Sequence, residues 1–468
     1  MITGKDLVER GWPQGKVVGL ALKAASDLRE TGMAETEILA ALEKVREDPP
    51  TTTHPSLGPL AEEWKKINAP EESELREPLP YSVWGPEMIE AGTLDQMENA
   101  MRLPISTVGA LMPDAHLGYG LPVGGVLATK DAVIPWAVGV DISCMMRLSV
   151  FDVNHAVFDE RGEDLREVLL RNTNFGAGSK FKEGRRPEHE VLDDEAWNAT
   201  PFLRSLKDTG RAQLGTSGSG NHFVEWGVFE ATGEAPEGLE KGKRHLALLS
   251  HSGSRGVGFK VANRYSRIAK QKHPKLDRSV ADLAWLLLDS EEGDEYWLSM
   301  QLAGRFASAN HAVIHRKIAN ALAEEPLFGV ENYHNFAWKQ ENEEVIVHRK
   351  GATPAGRGVL GIIPGSMGDP GFVVRGKGDA KSLESASHGA GRRMSRTQAF
   401  KTLDKSAWEK GLREKNVTLI GGSLDEAPEA YKKIEEVMSL QTDLVEVVGR
   451  FDPRIVRMDS SQPRRKKK

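Results

Sequence analysis

The sequence has almost no cysteine, no long apolar run and no excess of positive charge. Cys144 is the one cysteine in 468 residues, which excludes an internal disulfide framework and favours a reducing compartment. The N-terminal stretch "MITGKDLVERGWPQGK" lacks the apolar core of a signal peptide. No apolar run approaches the roughly 20 residues that cross a bilayer. We therefore expect a cytoplasmic protein without a membrane segment.

A net charge of −6 argues against a protein coated in positive potential, so contact with nucleic acid would need a local basic surface. Two stretches could supply one: "KFKEGRRPEHE", which contains Arg185 and Arg186, and the C-terminal "RRKKK". Solvated loops and frayed tails explain such runs more often. The two stretches, with Arg185 and Arg186 as the candidate contacts, therefore indicate nucleic-acid binding only weakly.

The organisation of the chain changes near residue 75. Apolar residues at helical spacing on both sides of Gly32 predict an N-terminal helical hairpin over residues 1–48, an accessory unit. The composition of "PPTTTHPSLGPL" predicts a linker over residues 49–74. From 75 to 458, short β-like runs that end in glycine-rich turns predict a single large mixed α/β (α+β) catalytic domain. Helical insertions are expected at 277–323 and within "EAPEAYKKIEEVMSLQTDLVEVV", and residues 459–468 form a basic tail.

Cys144 could be an inert core residue, a catalytic nucleophile or a metal ligand. Asp141 lies three residues earlier, an offset that puts two side chains on one side of a helical turn or tight loop. A neighbouring carboxylate raises the pKa of a thiol, which suits a nucleophile poorly but is tolerable where a cation holds both anions. This pair therefore favours a metal site.

Several histidines could complete such a site, although a single histidine is more often structural than a ligand. Five sit at loop junctions beside glycine, serine or asparagine: His116, His222, His251, His334 and His388. Their spacing is too wide for a zinc finger, so distant loops would have to assemble the site. His311 and His315 lie four residues apart on a predicted helix, but the glutamate of H-E-x-x-H is absent, and we interpret them as structural.

Glycine-rich turns indicate phosphate binding. "GTSGSGNH", "HSGSRGVG", "PGSMGDPG" and "SHGAGRRMSR" offer unobstructed backbone N–H groups, and none fits the Walker A or G-x-G-x-x-G pattern. Cations lie beside them: Arg255, Arg349, Lys350, Arg392 and Arg396. Together these features favour a nucleotide or phosphodiester substrate.

The chain resembles the RtcB-type RNA ligases, a tRNA-splicing family, over roughly residues 75–458. The resemblance is carried, in this order, by "MPDAHLGYGLPVGG", "VGVDISC", "GSGNHFVE", "HSGSRGVG", "HN", "RKGA", "IPGSMG", "SHGAGRRMSR" and "EAYKKIEEV". It implies a distinctive α/β fold and an enzyme that uses GTP and two Mn²⁺ ions. That enzyme would join an RNA 3′-phosphate or 2′,3′-cyclic phosphate end to a 5′-hydroxyl end, in RNA splicing or repair. The resemblance also suggests an archease-like activator as a partner.

The resemblance also assigns roles to residues. The implied metal ligands are Asp141, Cys144, His222, His251 and His334, with Cys144 bridging the two ions. His388 would be guanylated, and Asp114 would orient its imidazole. Contacts to guanine and phosphate are implied for Asn221, Glu225, Asn335, Pro364, Gly365, Ser366, Met367, the "HGAG" turn of His388, Gly389, Ala390 and Gly391, and Tyr431.

Three positions differ from the family pattern. Gly371 stands where many relatives have serine, and Arg457 stands near the place of a lysine that contacts guanine. His315 replaces the asparagine that usually precedes the residue matching Arg316. Two other functions stay open: a dinuclear-metal phosphodiesterase or RNA end-processing enzyme without ligation, and an inactive RNA-binding relative. A hydrolase would not need His388, whereas a ligase of this family would.

Overall fold

The computed structural model describes residues 2–13, 15–47, 54–67, 75–340 and 344–460. The chain divides into two compact units, Met1–Glu74 and Leu75–Lys468. In the described part, no helix has both the length and the apolar character that crossing a bilayer requires. Most of the predicted basic tail, residues 461–468, lies outside the described residues.

The N-terminal unit is helical, with α1 (Gly4–Glu9), α2 (Lys16–Glu30), α3 (Glu35–Glu47) and α4 (Gly58–Ile67). Helices α2 and α3 form the expected hairpin. The linker prediction is wrong for residues 58–67, because Leu60, Ala61 and Trp64 join the same apolar core as α2 and α3. Apolar residues at helical spacing therefore outweigh the proline-rich composition of the residues before them.

The second unit is mixed α/β, which confirms the predicted fold class. Its elements are β1 (Ser82–Val83), α5 (Ala91–Met101), β2 (Ser106–His116), β3 (Val123–Lys130), β4 (Ala132–Val133), α6 (Pro135–Val138), β5 (Met145–Asn154), α7 (Val157–Asn172), α8 (Pro201–Gln213), β6 (Phe223–Ala231), β7 (Arg244–Ser252), α9 (Arg255–Lys272), β8 (Leu286–Leu287), α10 (Glu291–Leu322), β9 (Pro326–Tyr333), β10 (Asn335–Lys339), β11 (Val345–Lys350), β12 (Ala352–Pro354), β13 (Leu360–Ile363), β14 (Gly371–Gly376), β15 (Ser385–Ser387), α11 (Arg396–Thr402), α12 (Lys405–Glu414), β16 (Thr418–Ile420), α13 (Ile434–Ser439) and β17 (Val445–Met458).

Two sheets organise this unit. The larger has the strand order β13-β14-β17-β6-β7-β5-β9, with β16 paired to β17, and the smaller has the order β1-β2-β3-β11-β10. Strands β5, β6 and β7 are buried over most of their length, as expected where both faces of a sheet are covered. The long helix α10 packs against β5 and β7. The sheets therefore provide rigid strand ends on which loops can be positioned.

Two helical predictions are wrong in part. The helix expected over residues 277–323 begins at Glu291, because the hydroxyl of Ser290 accepts a hydrogen bond from the backbone N–H of Gly293 and caps it there. The helix expected near the C-terminus is limited to Ile434–Ser439. Residues Val445–Met458 form the long strand β17, which pairs with β6 and β14. Its β-branched residues suit a strand better than a helix.

Candidate metal and nucleotide site

Four of the implied metal ligands lie where neighbouring strands of the larger sheet end. Cys144 directly precedes β5, His222 directly precedes β6, His251 is the penultimate residue of β7, and His334 directly follows β9. The strands run in the order β6-β7-β5-β9 and are antiparallel. The start of one strand therefore meets the end of the next, and all four side chains share one edge of the sheet.

A tight turn brings Asp141 to the same place. After α6 ends, the backbone N–H of Cys144 donates to the carbonyl of Asp141 at 3.1 Å. Ser143 adopts a left-handed conformation with φ +59°, and its N–H donates to the carbonyl of Asn335 at 2.7 Å. The hydrogen bond to Asn335, the first residue of β10, holds this left-handed turn in place. The turn explains how a three-residue offset puts the carboxylate and the thiol on one side.

The ligand atoms are close to one another. The sulfur of Cys144 lies 3.1 Å from Nε2 of His251 and 3.5 Å from Nε2 of His222. Nε2 of His222 lies 3.1 Å from Oδ2 of Asp141, and Nε2 of His251 lies 3.2 Å from Nε2 of His334. The cluster forms a continuous chain of donor atoms with the thiol near its centre.

Backbone carbonyls fix the orientation of two of these rings. Nδ1 of His222 contacts the carbonyl of Ser217 at 2.9 Å, and Nδ1 of His251 contacts the carbonyl of Asn221 at 3.1 Å. A carbonyl can only accept, so each of these contacts is a hydrogen bond when Nδ1 carries the proton, and Nε2 of the neutral ring then presents a lone pair. For His222 the carbonyl contact is shorter than the 3.5 Å contact between its Nδ1 and the guanidinium of Arg255. The lone pair of His222 faces a carboxylate, which requires a proton or a metal cation between them. Metal-binding histidines are typically held in this way.

Burial sets the charge of the cluster. It raises the pKa of the Cys144 thiol well above the usual value, and the charge of Asp141 raises it further. It lowers the pKa values of His251 and His334 well below the usual value, and neighbouring histidines lower them further. The imidazoles are therefore neutral and available as ligands. Nδ1 of His334 is buried without a partner in the described residues. A cation would balance the negative charge of the Asp141 carboxylate and of a deprotonated Cys144, so this donor set fits a metal.

His388 and Asp114 form a second, adjacent group. His388 directly follows β15, and Asp114 is fully buried on β2. Nδ1 of His388 donates to Oδ2 of Asp114 at 2.7 Å, and the backbone N–H of His388 lies 3.2 Å from the same oxygen. Burial raises the pKa of Asp114, but the charge and hydrogen bond of His388, followed by Lys432, lower it more. The ring of His388 lies 5.1 Å from that of His334, so Nε2 is left available beside the metal cluster.

Gly391 keeps the "HGAG" turn against Asp114. Its φ is +71°, a conformation that side chains rarely adopt. A Cβ atom there would lie 2.0 Å from the carbonyl oxygen of Asp114. Only glycine allows this approach of the two backbones.

One cavity of about 400 Å³ joins both groups, a volume within the usual range for small-molecule sites. All five implied metal ligands and His388 line it. Most of the implied nucleotide contacts also line it: Asn221, Asn335, Pro364, Gly365, Ser366, Met367, Gly389, Ala390, Gly391 and Tyr431. Loops distant in sequence thus converge on one site.

Some implied residues do not line this cavity. Glu225 is 5% exposed on β6, two residues beyond the cavity residue Phe223, and burial raises the pKa of its carboxyl well above the usual value. Arg457 points away, because it donates to the carbonyl of Leu169 at 2.5 Å while the next residue, Met458, faces the cavity.

The other two departures from the family pattern, and the basic loop, also lie elsewhere. Gly371 is outside the cavity wall, as are Arg185 and Arg186. Arg186 forms an ion pair with Asp208 at 3.0 Å. His315 contacts serine hydroxyls rather than the cavity.

The acids that hold Arg396 and Tyr431 in the cavity wall, Asp425 and Glu426, were missed by sequence reasoning. Glu426 accepts hydrogen bonds from Arg396 and from the hydroxyl of Tyr431, and Arg396 also contacts Asp425 at 2.5 Å. Burial raises the pKa of Tyr431 well above the usual value, and Glu426 raises it further. Arg392 lies over the Tyr431 ring at 5.1 Å. The adjacent acids in "LDEAPEAY" were the available signal.

A second group of buried histidines lies on α10. Nδ1 of His311 and Nε2 of His315 each lie 2.7 Å from the hydroxyl of Ser250, and Nδ1 of His315 lies 2.8 Å from the hydroxyl of Ser149. These contacts tie α10 to β5 and β7. The geometry agrees with the structural interpretation of this pair.

Comparison with known proteins places these features in a family. A family model described as "tRNA-splicing ligase RtcB" matches residues 96–459. The chain is 32% identical to "RNA-splicing ligase RtcB" of Escherichia coli (strain K12), with 80% of this chain and 95% of the relative covered. It is also 32% identical to proteins named "tRNA-splicing ligase RtcB" from Nanoarchaeum equitans and Thermococcus kodakarensis, each with 78% of this chain and 91% of the relative covered. These matches confirm the resemblance seen in the sequence: the chain belongs to the RtcB family.

Proposed function

We propose that this protein is a GTP- and Mn²⁺-dependent RNA ligase that joins 3′-phosphate or 2′,3′-cyclic phosphate ends to 5′-hydroxyl ends. The reaction would proceed through a guanylate on His388. The observation that carries the proposal is the pairing of His388 with a buried carboxylate, which leaves Nε2 available next to a cluster suited to a metal. The relatives' names, which specify RNA or tRNA splicing, support RNA as the substrate.

Two metal ions would be held by the five donors at the sheet edge, with the sulfur of Cys144 shared between them. A thiolate with imidazoles and a carboxylate suits several divalent metals, so family membership rather than ligand chemistry selects Mn²⁺. When bound, the ions supply positive charge that offsets the charge developing on phosphate groups. The contacts of Nδ1 with backbone carbonyls orient His222 and His251 so that the Nε2 atoms of both rings lie beside the sulfur of Cys144, where they would serve as ligands.

In the first step, Nε2 of His388 forms a bond to the α-phosphorus of GTP. The bond between that phosphorus and the bridging oxygen to the β-phosphate breaks, and pyrophosphate leaves. Asp114 keeps the Nδ1 proton in place and stabilises the positive charge that the ring acquires as the new bond forms. This role requires the 2.7 Å contact between the two side chains.

The remaining steps transfer GMP and then release it. Water opens a cyclic phosphate to a 3′-phosphate. An oxygen of that phosphate attacks the phosphorus on His388, and the bond from nitrogen to phosphorus breaks. The 5′-hydroxyl of the second RNA then attacks the activated 3′-phosphorus, which forms the phosphodiester and releases GMP.

Three cationic side chains in the cavity wall would contact the triphosphate. Arg392 and Arg396 lie beside the "HGAG" turn, and Lys350 lies at the end of β11. Arginine and lysine side chains bind phosphate oxygens through charge-assisted hydrogen bonds. Asn221, Asn335, Tyr431 and the Pro364–Met367 turn would complete the contacts to the nucleotide, with Glu225 behind Phe223.

The proposal is tested by incubating the purified protein with Mn²⁺ and α-³²P-GTP, followed by a denaturing gel. We expect a covalently labelled band with GTP and none with α-³²P-ATP. His388→Ala should abolish the band because no other group in the described cavity pairs a free imidazole nitrogen with a buried carboxylate. His273→Ala, which changes a histidine outside the cavity, should be labelled like the unmodified protein.

An unlabelled protein would contradict the guanylation mechanism. If His388→Ala still cleaved a 2′,3′-cyclic phosphate at the unmodified rate while GTP gave no band, a metal-dependent phosphodiesterase would replace the ligase as the function.

A further inference from the structure

One wall of the cavity is apolar and open to solvent. Of the nine large hydrophobic side chains that the described residues expose, three line this cavity: Leu117, Tyr119 and Val140, which are 53%, 72% and 37% exposed. Half-buried Trp136 joins them, with its ring centroid 6.3 Å from that of Tyr119. Such a concentration at a site, rather than scattered exposure, marks a binding surface.

This wall is held rigidly. The buried ammonium group of Lys350 donates to the carbonyl of Trp136 at 3.1 Å and also to the carbonyl of Tyr119. Tyr119 lies in the turn after β2, and Trp136 lies in helix α6. The side chain of Lys350 on β11 thus connects the turn and the helix, while the ring of Tyr119 remains exposed to solvent. Anchoring the backbone that carries a side chain reduces the conformational freedom that is lost on binding.

The apolar wall is adjacent to the reacting groups. A Cβ atom on Gly351, the residue after Lys350, would lie 3.1 Å from Cε1 of His388. Val140 directly precedes the implied metal ligand Asp141, and Leu117 lies three residues beyond Asp114. A molecule whose phosphate reaches His388 would therefore bring its nearest flat, apolar part to this wall.

We propose that Tyr119, supported by Trp136, Leu117 and Val140, stacks on the terminal nucleobase of an RNA strand whose end is being joined. This inference rests on the proposed function, because that function requires RNA ends to enter this cavity. Every nucleobase has a π face, so stacking on an aromatic ring binds RNA ends without selecting their sequence. An enzyme that accepts varied broken ends needs such a contact.

The test measures the affinity of the full chain, with Mn²⁺, for two fluorescent RNA probes by anisotropy. One probe ends in a 3′-phosphate and the other in a 5′-hydroxyl, and each is made with an intact or an abasic terminal nucleotide. Tyr119→Ala should weaken binding of one intact probe roughly 5- to 100-fold. Tyr119→Phe keeps the ring and should bind like the unmodified protein. Phe400→Ala, which removes an exposed ring outside the cavity wall, should also bind normally.

The abasic probes separate stacking from other roles. If a strand stacks on Tyr119, its abasic probe has no base to stack, so the unmodified protein and Tyr119→Ala should bind that probe equally. The strand that combines this result with weaker binding of its intact probe to Tyr119→Ala is the one that occupies the apolar wall. If Tyr119→Ala bound both intact probes normally, or if its defect persisted with the abasic probe, the inference would be overturned.

Labelling with α-³²P-GTP distinguishes this inference from the proposed function. A protein that is not labelled but shows the base-dependent loss at Tyr119 keeps the stacking surface and loses the ligase proposal. A protein that is labelled but shows no such loss keeps the ligase proposal and loses the stacking surface. Melting temperatures of the variants identify any loss of folding, which is not expected for a side chain as exposed as Tyr119.

Discussion

Two groups of buried histidines in the catalytic unit differ in what their ring nitrogens face. In the cavity, Nε2 of His222 faces a carboxylate, and Nε2 of His251 faces a thiol and the ring of His334. On α10, both His311 and His315 face serine hydroxyls. Burial lowers the pKa of His311 to about 3 and that of His315 well below the usual value. Burial likewise lowers the pKa values of His251 and His334 in the cavity, so burial and a lowered pKa occur in both groups.

The difference lies in the partners. A hydroxyl can donate or accept, so serine adapts to either nitrogen of an uncharged imidazole without further charge. Three of the four ring nitrogens of this pair contact a serine hydroxyl, and Nε2 of His311 is buried without a partner among the described residues. A carboxylate can only accept, and a lone pair directed at it is repelled unless a cation lies between them. Burial alone does not mark a functional histidine; the hydrogen-bonding capacity of its neighbours does.

The largest expected effect that would sharpen this comparison is that of Cys144→Ala. Because the sulfur would contact both ions, this change should weaken the affinity for metal by more than about 100-fold. Guanylation should be abolished with it. Elemental analysis of protein purified with Mn²⁺ measures the first effect, and GTP labelling measures the second. Near-normal metal content would contradict the shared-ligand role.

A smaller effect of a different kind is expected for His311→Ala. It deletes a buried ring and leaves the hydroxyl of Ser250 with one partner fewer, so the free energy of unfolding should fall by roughly 2–4 kcal/mol. Urea denaturation measures this loss. Metal content should be unchanged, and a variant that lost its metal while remaining folded would break the distinction between the two groups.

The smallest expected effect concerns the basic loop, which lies in neither histidine group. Arg185 is exposed, whereas Arg186 is engaged with Asp208. Arg185→Gln should weaken RNA binding a few-fold and reduce the salt dependence of log K by about one unit if this side chain contacts a phosphate. Lys410→Gln, on the exposed face of α12, is the matched control. Equal effects on RNA binding and guanylation would instead indicate a role in folding.

Much of the site could be predicted from the sequence because its motifs are short and local. The Asp141–Cys144 offset, the glycine-flanked histidines and "HGAG" each depend on a few consecutive residues. Their convergence does not follow from local spacing and was implied only by the family resemblance, because it depends on the order β6-β7-β5-β9, which joins strands far apart along the chain.

The failures have physical causes as well. The helix α4 was missed because prolines before it suggested a linker, although its apolar residues complete a core that α2 and α3 leave open. The first four residues of β17, 445–448, were assigned to a helix because the pairing of this strand with β6 and β14 is a tertiary effect that local spacing does not contain. The Arg396–Glu426 contacts depend on packing between loops, and sequence offered only adjacent charges.

The solitary thiol makes the chemistry of this chain sensitive to oxidation at a single atom. Oxidation of Cys144 to a sulfenic acid could not be followed by an internal disulfide, since the chain has no second cysteine to resolve it. Further oxidation would be irreversible and would remove the donor atom near the centre of the cluster. Protection must therefore come from burial, since Cys144 is only 5% exposed to solvent, and from any cation that binds the sulfur. Loss of metal and loss of redox protection would then be one event.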